Sequence, residues 1–175
     1  MAAELNRTLE ALQFAIQMEI DGKEYYLKTS QKSRDEAGKK LLVALAIAED
    51  VHRHKFESIF EAMQMKKAWP PIKLPSSAKG IRTIFAEALE QIKPGSSGTA
   101  TEIGAVDKAI NMETKSYDYY MNQSKVAASG AEMEFYKAVA AEEQVHHLVL
   151  LDYKEYLSDP AAWFVKSEHP SLDGG

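Results

Sequence analysis

Residues 15–52 recur without a gap at 109–146, and 13 of the 38 aligned pairs are identical. A unit of this length used twice constrains the fold more than any other feature of the chain. Met18-Glu19 falls on Met112-Glu113, Tyr25-Tyr26 on Tyr119-Tyr120, and Ser30 on Ser124. Glu49, Val51 and His52 fall on Glu143, Val145 and His146, with matched alanines between. Each copy carries its apolar residues at helical spacing. From the second half of the first copy onward the chain reads Leu42, Leu45, Glu49, His52, Phe56, Ile59 and Met63, in steps of three and four. That is a buried helical seam with a carboxylate and an imidazole where hydrophobes would ordinarily sit.

Breakers divide the chain around this repeat. Apolar positions Leu5, Leu9, Leu12 and Ile16, then Glu19 and Tyr26, mark a first helix over 4–30. The polar stretch "SQKSRDEAGKK" holds a turn near Ser33, and a second helix runs from about Ala37 to Lys66. "KAWPPIKLPSSAKG" (67–80) carries three prolines and cannot be helical through most of its length. A short amphipathic helix is expected over 81–92, ended by "KPGSSGT". A third long helix covers about Thr101 to Ala128 and a fourth about Ala131 to Leu157, with a turn at Ser129-Gly130. The tail from 158 to 175 is expected to hold one turn of helix and a surface strap. The fold class is therefore all-α. Two helical hairpins (4–66 and 101–157), joined by a crossover (67–100), make a four-helix bundle and one domain of 175 residues.

Composition narrows the function. A net charge of -5 favours neither nucleic acid nor an anionic membrane as partner. With no cysteine, thiolate metal sites, iron–sulfur clusters and thiol catalysis are excluded together. No apolar run approaches the roughly 20 residues of a membrane span. "MAAELNRTLEALQFAIQMEIDG" lacks the basic start and apolar run of an export signal, so a cytoplasmic protein is expected.

Glu19 and Glu49 lie 30 residues apart, as do Glu113 and Glu143, with midpoints 34 and 128 inside the two turns. In an antiparallel hairpin, residues equidistant from the turn share one level, here ~22 Å from it at ~1.5 Å per residue. Helix 3 presents Ile103, Val106, Ile110, Glu113, Tyr117 and Tyr120 along its seam; helix 4 presents Tyr136, Val139, Glu143, His146, Leu150, Tyr153 and Leu157. Four carboxylates and two imidazoles thus converge on the interior at one level. An unpaired buried carboxylate costs several kcal/mol or takes up a proton, and no lysine or arginine shares these seams. Two divalent cations would balance the four charges, and an oxygen/nitrogen donor set without sulfur suits iron or manganese. One Glu from each of two helices plus a Glu-x-x-His from each of the other two is the donor pattern of di-iron carboxylate bundles.

One Glu-x-x-His alone would be weak evidence; two in register with two further Glu are strong. The other candidates are weighed against plainer roles. Tyr26 and Tyr120 lie on the seams, either as core residues or as groups that hydrogen-bond a ligating carboxylate and screen the site; Tyr25 and Tyr119 are the lesser candidates. His54, His147 and Glu142 point off the seams and read as solvated or outer residues, His169 lies in the tail, and Met18 and Met112 read as core filler. Trp69, Trp163 and Phe164 read as anchors of the crossover and tail.

"QMEIDGKEYY", "AIAEDVHRH", "NMETKSYDYY" and "AAEEQVHHL" together resemble the rubrerythrin branch of the ferritin-like superfamily, over about residues 5–157. The resemblance implies two iron ions, with manganese or a mixed pair as variants. It makes Glu19, Glu49, His52, Glu113, Glu143 and His146 the ligands, Glu49 and Glu143 bridging. It also implies reduction of peroxide or oxygen in defence against oxidative stress, or oxidation of Fe(II), in dimers or larger assemblies. A metal-stabilised bundle without catalysis is the third reading. Two features depart from the family. Ser116 stands where rubrerythrins carry a further Glu that takes part in a metal shift during peroxide turnover, and these 175 residues hold no cysteine from which the family's rubredoxin domain could be built. Electrons would then come from a separate donor protein.

Overall fold

The computed structural model describes residues 2–66, 68–71, 73–74, 77–90 and 98–167. They form six helices: α1 (Ala2–Lys32), α2 (Glu36–Lys66), α3 (Ala78–Glu90), α4 (Ala100–Val126), α5 (Gly130–Ser158) and α6 (Pro160–Ser167). No strand occurs among the described residues.

The two turns are built alike. After Ser33 and Arg34, Asp35 caps α2 by accepting the Gly38 N–H at 2.6 Å. Ser129, which the repeat aligns with Asp35, caps α5 by accepting the Glu132 N–H at 3.2 Å. Glu132 in turn accepts the Ala128 N–H at 2.9 Å. Thr99 and Glu102 close a reciprocal capping box at the start of α4.

Side-chain pairings between the hairpins fix the topology. Tyr25 donates to the Ala105 carbonyl at 2.8 Å, and Tyr119 donates to the Ala11 carbonyl at 2.9 Å. Adding 94 to Tyr25 gives Tyr119, and subtracting 94 from Ala105 gives Ala11, so the hairpins are related by an approximate two-fold axis across the bundle. As residue numbers rise in α1 they fall in α4, and His52–Glu143 with His146–Glu49 show the same for α2 and α5. Both neighbouring pairs are antiparallel. The end of α2 therefore lies at the bundle end opposite the start of α4, and the crossover must climb about 45 Å, the length of a 31-residue helix.

α3 makes that climb in the groove between α2 and α5. Ile81, Phe85, Ala88 and Leu89 are buried at helical spacing, and Phe85 meets Tyr153 edge-on at 5.7 Å. The helix begins three residues earlier than the expected 81, because Ser77 starts it: the Ile81 N–H bonds the Ser77 carbonyl at 3.1 Å. Residues 91–97, which hold the expected end of that helix and most of its breaker, lie outside the described residues. Before α3, Trp69 packs at a tilt against Phe135 and Tyr136 as an anchor. In the tail, α6 has two turns rather than one. Pro160 occupies its first position, Asp159 Oδ1 accepts the Ala162 N–H at 3.0 Å, and Trp163 and Phe164 pack on Tyr156. The remainder of the expected strap, 168–175 with His169, lies outside the described residues.

The apolar core is divided in two. One cluster gathers Tyr26, Leu42, Leu45, Phe85, Val106, Leu150 and Tyr153; the other gathers Leu12, Phe56, Ile59, Tyr120, Tyr136 and Val139. Between them lies a layer of polar side chains.

Candidate metal centre

That layer consists of Glu19 from α1, Glu49 and His52 from α2, Glu113 from α4, and Glu143 and His146 from α5. None is more than 5% exposed. Each pair spaced by three residues shares one helix face, which is why α2 and α5 supply two groups each. The structure brings all six together. Ligand atoms of Glu19, Glu49, His52 and Glu143 lie within 4.8 Å of one another, and so do those of Glu49, Glu113, Glu143 and His146. Glu49 and Glu143 belong to both groups.

The imidazoles cross between hairpins. His52 Nδ1 is 3.1 Å from Glu143 Oε1 and 3.5 Å from Glu19 Oε2. His146 Nδ1 is 3.2 Å from Glu49 Oε1 and 3.8 Å from Glu113 Oε1. The two rings lie nearly parallel, with centroids 5.7 Å apart. Close as they are, both Nδ1 atoms lack an aligned hydrogen bond, as do Glu19 Oε2, Glu49 Oε1 and both Glu143 oxygens. Six orphaned donor atoms facing a common space are what a pair of cations would satisfy, since buried polar atoms are otherwise almost always paired. The donor set is hard oxygen and imidazole nitrogen, which fits iron or manganese.

The electrostatics of the protein alone point the same way. Burial, then the neighbouring Glu143 and Glu19 carboxylates, hold the Glu49 carboxyl well above its ordinary range. Burial and Glu143 push Glu113 up to about 8. For His52, burial favours the neutral ring, but Glu19 and Glu143 outweigh it and raise the group to about 10. His146 is raised well above its ordinary value, its carboxylate neighbours overcoming burial. Glu143 goes down: burial opposes its charge, but the adjacent His146 and His52 imidazoles outweigh it. Protons therefore occupy positions that a divalent cation would take.

The tyrosines complete the two-fold pattern. Tyr26 donates to Glu113 Oε1 and Tyr120 donates to Glu19 Oε1, each across the hairpin interface. Both rings are buried, and burial followed by the adjacent carboxylates raises both phenols well above 10. Tyr25 and Tyr119 bond backbone carbonyls instead and play the plainer packing role.

Residues 10–94 match the family model for rubrerythrin. Over that stretch, a little under half of its length, the chain is similar to rubrerythrin. The rubrerythrin match takes in Glu19, Glu49 and His52; Glu113, Glu143 and His146 lie beyond it, and the fold brings them to the same layer. No curated protein and no solved structure matches the chain.

Of the outer candidates, His54 is exposed, with Nδ1 2.7 Å from the Asp50 carbonyl. His147 is half-buried, with Nδ1 3.3 Å from Thr114 Oγ1. Ser116, in place of the further rubrerythrin Glu, is half-buried and brings no carboxylate to the centre. Met18 and Met112 are half-buried rather than core. Glu142 departs from expectation. It is buried and accepts hydrogen bonds from the backbone N–H of Ser77, at 2.7 Å, and from its hydroxyl. It sits about 100° from the seam, on the face that α3 covers. Ser77 was missed altogether; a serine directly ahead of an amphipathic helix is a capping signal that would have drawn attention to it. No described helix is long and apolar enough to cross a membrane.

Proposed function

We propose that this chain holds a dinuclear iron centre and reduces peroxide or oxygen with electrons delivered by a separate donor protein. The observation that carries this reading is the pair of four-residue donor groups sharing Glu49 and Glu143. Glu19 and His52 would complete one metal position and Glu113 and His146 the other, with Glu49 and Glu143 spanning both. A bound pair of ferrous ions would supply the two electrons that reduction of a peroxide requires. The chain's own part is to hold the ions and exclude bulk water. Tyr26 and Tyr120 orient Glu113 and Glu19, leaving the second oxygen of Glu19 free for a cation. Apolar clusters on both sides keep the layer dry. Homodimers or larger assemblies in the cytoplasm, and manganese or a mixed pair as alternative occupants, are part of the same proposal.

The decisive experiment is metal analysis of the purified protein, followed by anaerobic ferrous loading and a peroxide pulse. Two irons per chain and a change in the visible spectrum within one turnover are expected. Fewer than one bound metal per chain after loading, in both the native protein and a chelated and reloaded sample, refutes the proposal. Ser116 favours a second reading, Fe(II) as substrate: without a carboxylate there, the metal shift of rubrerythrin peroxide turnover lacks its ligand. More than two irons oxidised per chain, with release of ferric product, would identify that activity. Bound metal with no redox response would leave a metal-stabilised bundle.

A further inference from the structure

The two halves of the centre differ in what stands behind their imidazoles. Both turn Nδ1 inward. Behind His146, Ser77 Oγ lies 3.4 Å from Nε2, at the long end of a hydrogen bond. The Ser77 hydroxyl and N–H both donate to Glu142 Oε2, and Glu142 is only 6% exposed. The relay therefore runs carboxylate, hydroxyl, imidazole. With a cation in the centre, such a relay would hold the His146 proton on Nε2, leave the Nδ1 lone pair facing the cation, and make that nitrogen a stronger donor. The repeat places Ala48 where α5 has Glu142. His52 and Ala48 instead line an open pocket of about 260 Å³ whose walls include Ile47, Ile81 and Ile84; Ser77 borders it too, but its printed hydrogen bonds go to Glu142 and His146. Among the described residues, no carboxylate relay stands behind His52. The asymmetry has a simple origin: the crossover helix exists once, so only one of the two related imidazoles can receive its cap residue.

We propose that Ser77 and Glu142 are positioning residues that make the two metal positions unequal, the one at Glu113 and His146 binding more tightly than the one at Glu19 and His52. This rests on the dinuclear reading above. The test is anaerobic titration of chelated protein with Co(II), followed by its visible ligand-field bands and by calorimetry. The wild type should fill in two resolved steps. Glu142→Gln and Ser77→Ala should each weaken the tighter step roughly 10- to 100-fold and the weaker step by less than about threefold. Ser77→Thr, which keeps the hydroxyl, should restore the tighter step. Should Glu142→Gln not fold, the two Ser77 variants carry the same comparison. A merely structural role would lower the apo melting temperature and weaken both steps alike. That result, a single unresolved step in the wild type, or an unmoved tighter step would overturn the inference while leaving a two-metal centre standing. Absence of any Co(II) binding by the wild type would instead remove both.

Discussion

Glu113→Gln should make the metal-free protein more stable and the metal-loaded protein less so. The side chain is 3% exposed, accepts the Tyr26 hydroxyl, and is held at about 8 against an ordinary 4.5. Holding a carboxyl that far up corresponds to about 5 kcal/mol once the solution is alkaline enough to ionise it. Glutamine keeps the volume and the acceptor for Tyr26 but never ionises. Part of the gain is returned because His146, whose Nδ1 is 3.8 Å away, loses one carboxylate neighbour. A net stabilisation on the order of 2 kcal/mol remains, or roughly 4–8 °C in melting temperature for a chain of this size. The sign follows from linkage. Between about 4.5 and 8 the folded carboxyl holds a proton that the unfolded chain has released, so wild-type stability falls as pH rises through that window. The variant's advantage should vanish toward pH 4.5 and be complete above about 8. Urea and thermal unfolding with chelator present, at pH 5 and pH 8.5, measure it. Repeating the melts with Mn(II) should invert the order, since ligand at a hundredfold excess over its Kd adds about 2.7 kcal/mol per intact site. A chelated variant less stable than wild type at pH 8.5 would refute the account of Glu113 as a carboxylate under repulsion.

Loading the apo protein with two divalent cations at pH 7 should release about two protons or more in weak buffer, because His52 is raised to about 10 and Glu113 to about 8. Metal affinity should accordingly rise with pH up to about 10, and proton release near zero would contradict the ligand set. Tyr26→Phe and Tyr120→Phe should cost similar amounts, about 1–3 kcal/mol each, since each strips a buried carboxylate oxygen of its donor. A large difference between the two in thermal unfolding would break the two-fold argument. Gly38→Ala should destabilise the fold by about 1–3 kcal/mol or more without altering metal stoichiometry, because its Cβ would collide with the hydroxyl of the buried Tyr153. An unchanged melting temperature would disprove that packing.

Helical spacing and the repeat made the hairpins, their turns and the shared level of the six polar residues legible in the chain, because these depend on local periodicity and on counting from a turn. Helix limits were less so. α3 begins at Ala78 because Ser77 supplies its cap, and α6 runs two turns because Pro160 and Asp159 open it. Tyr26 shows a deeper limit. Its place on the seam made it a candidate for bonding a ligating carboxylate without saying which, and its hydroxyl reaches Glu113 on the other hairpin. Antiparallel docking of α1 on α4 decides that exchange, and no count along one helix contains it. Glu142 is the sharpest case. A helix seen alone has one buried stripe, and Glu142 lies off it; only the return of the crossover through the α2–α5 groove covers a second stripe and buries the residue against Ser77. The sequence by itself determined which side chains share a face and a level. Which of them meet across the bundle, and which imidazole is supported from behind, tertiary structure alone decided, because those contacts join segments 65 or more residues apart.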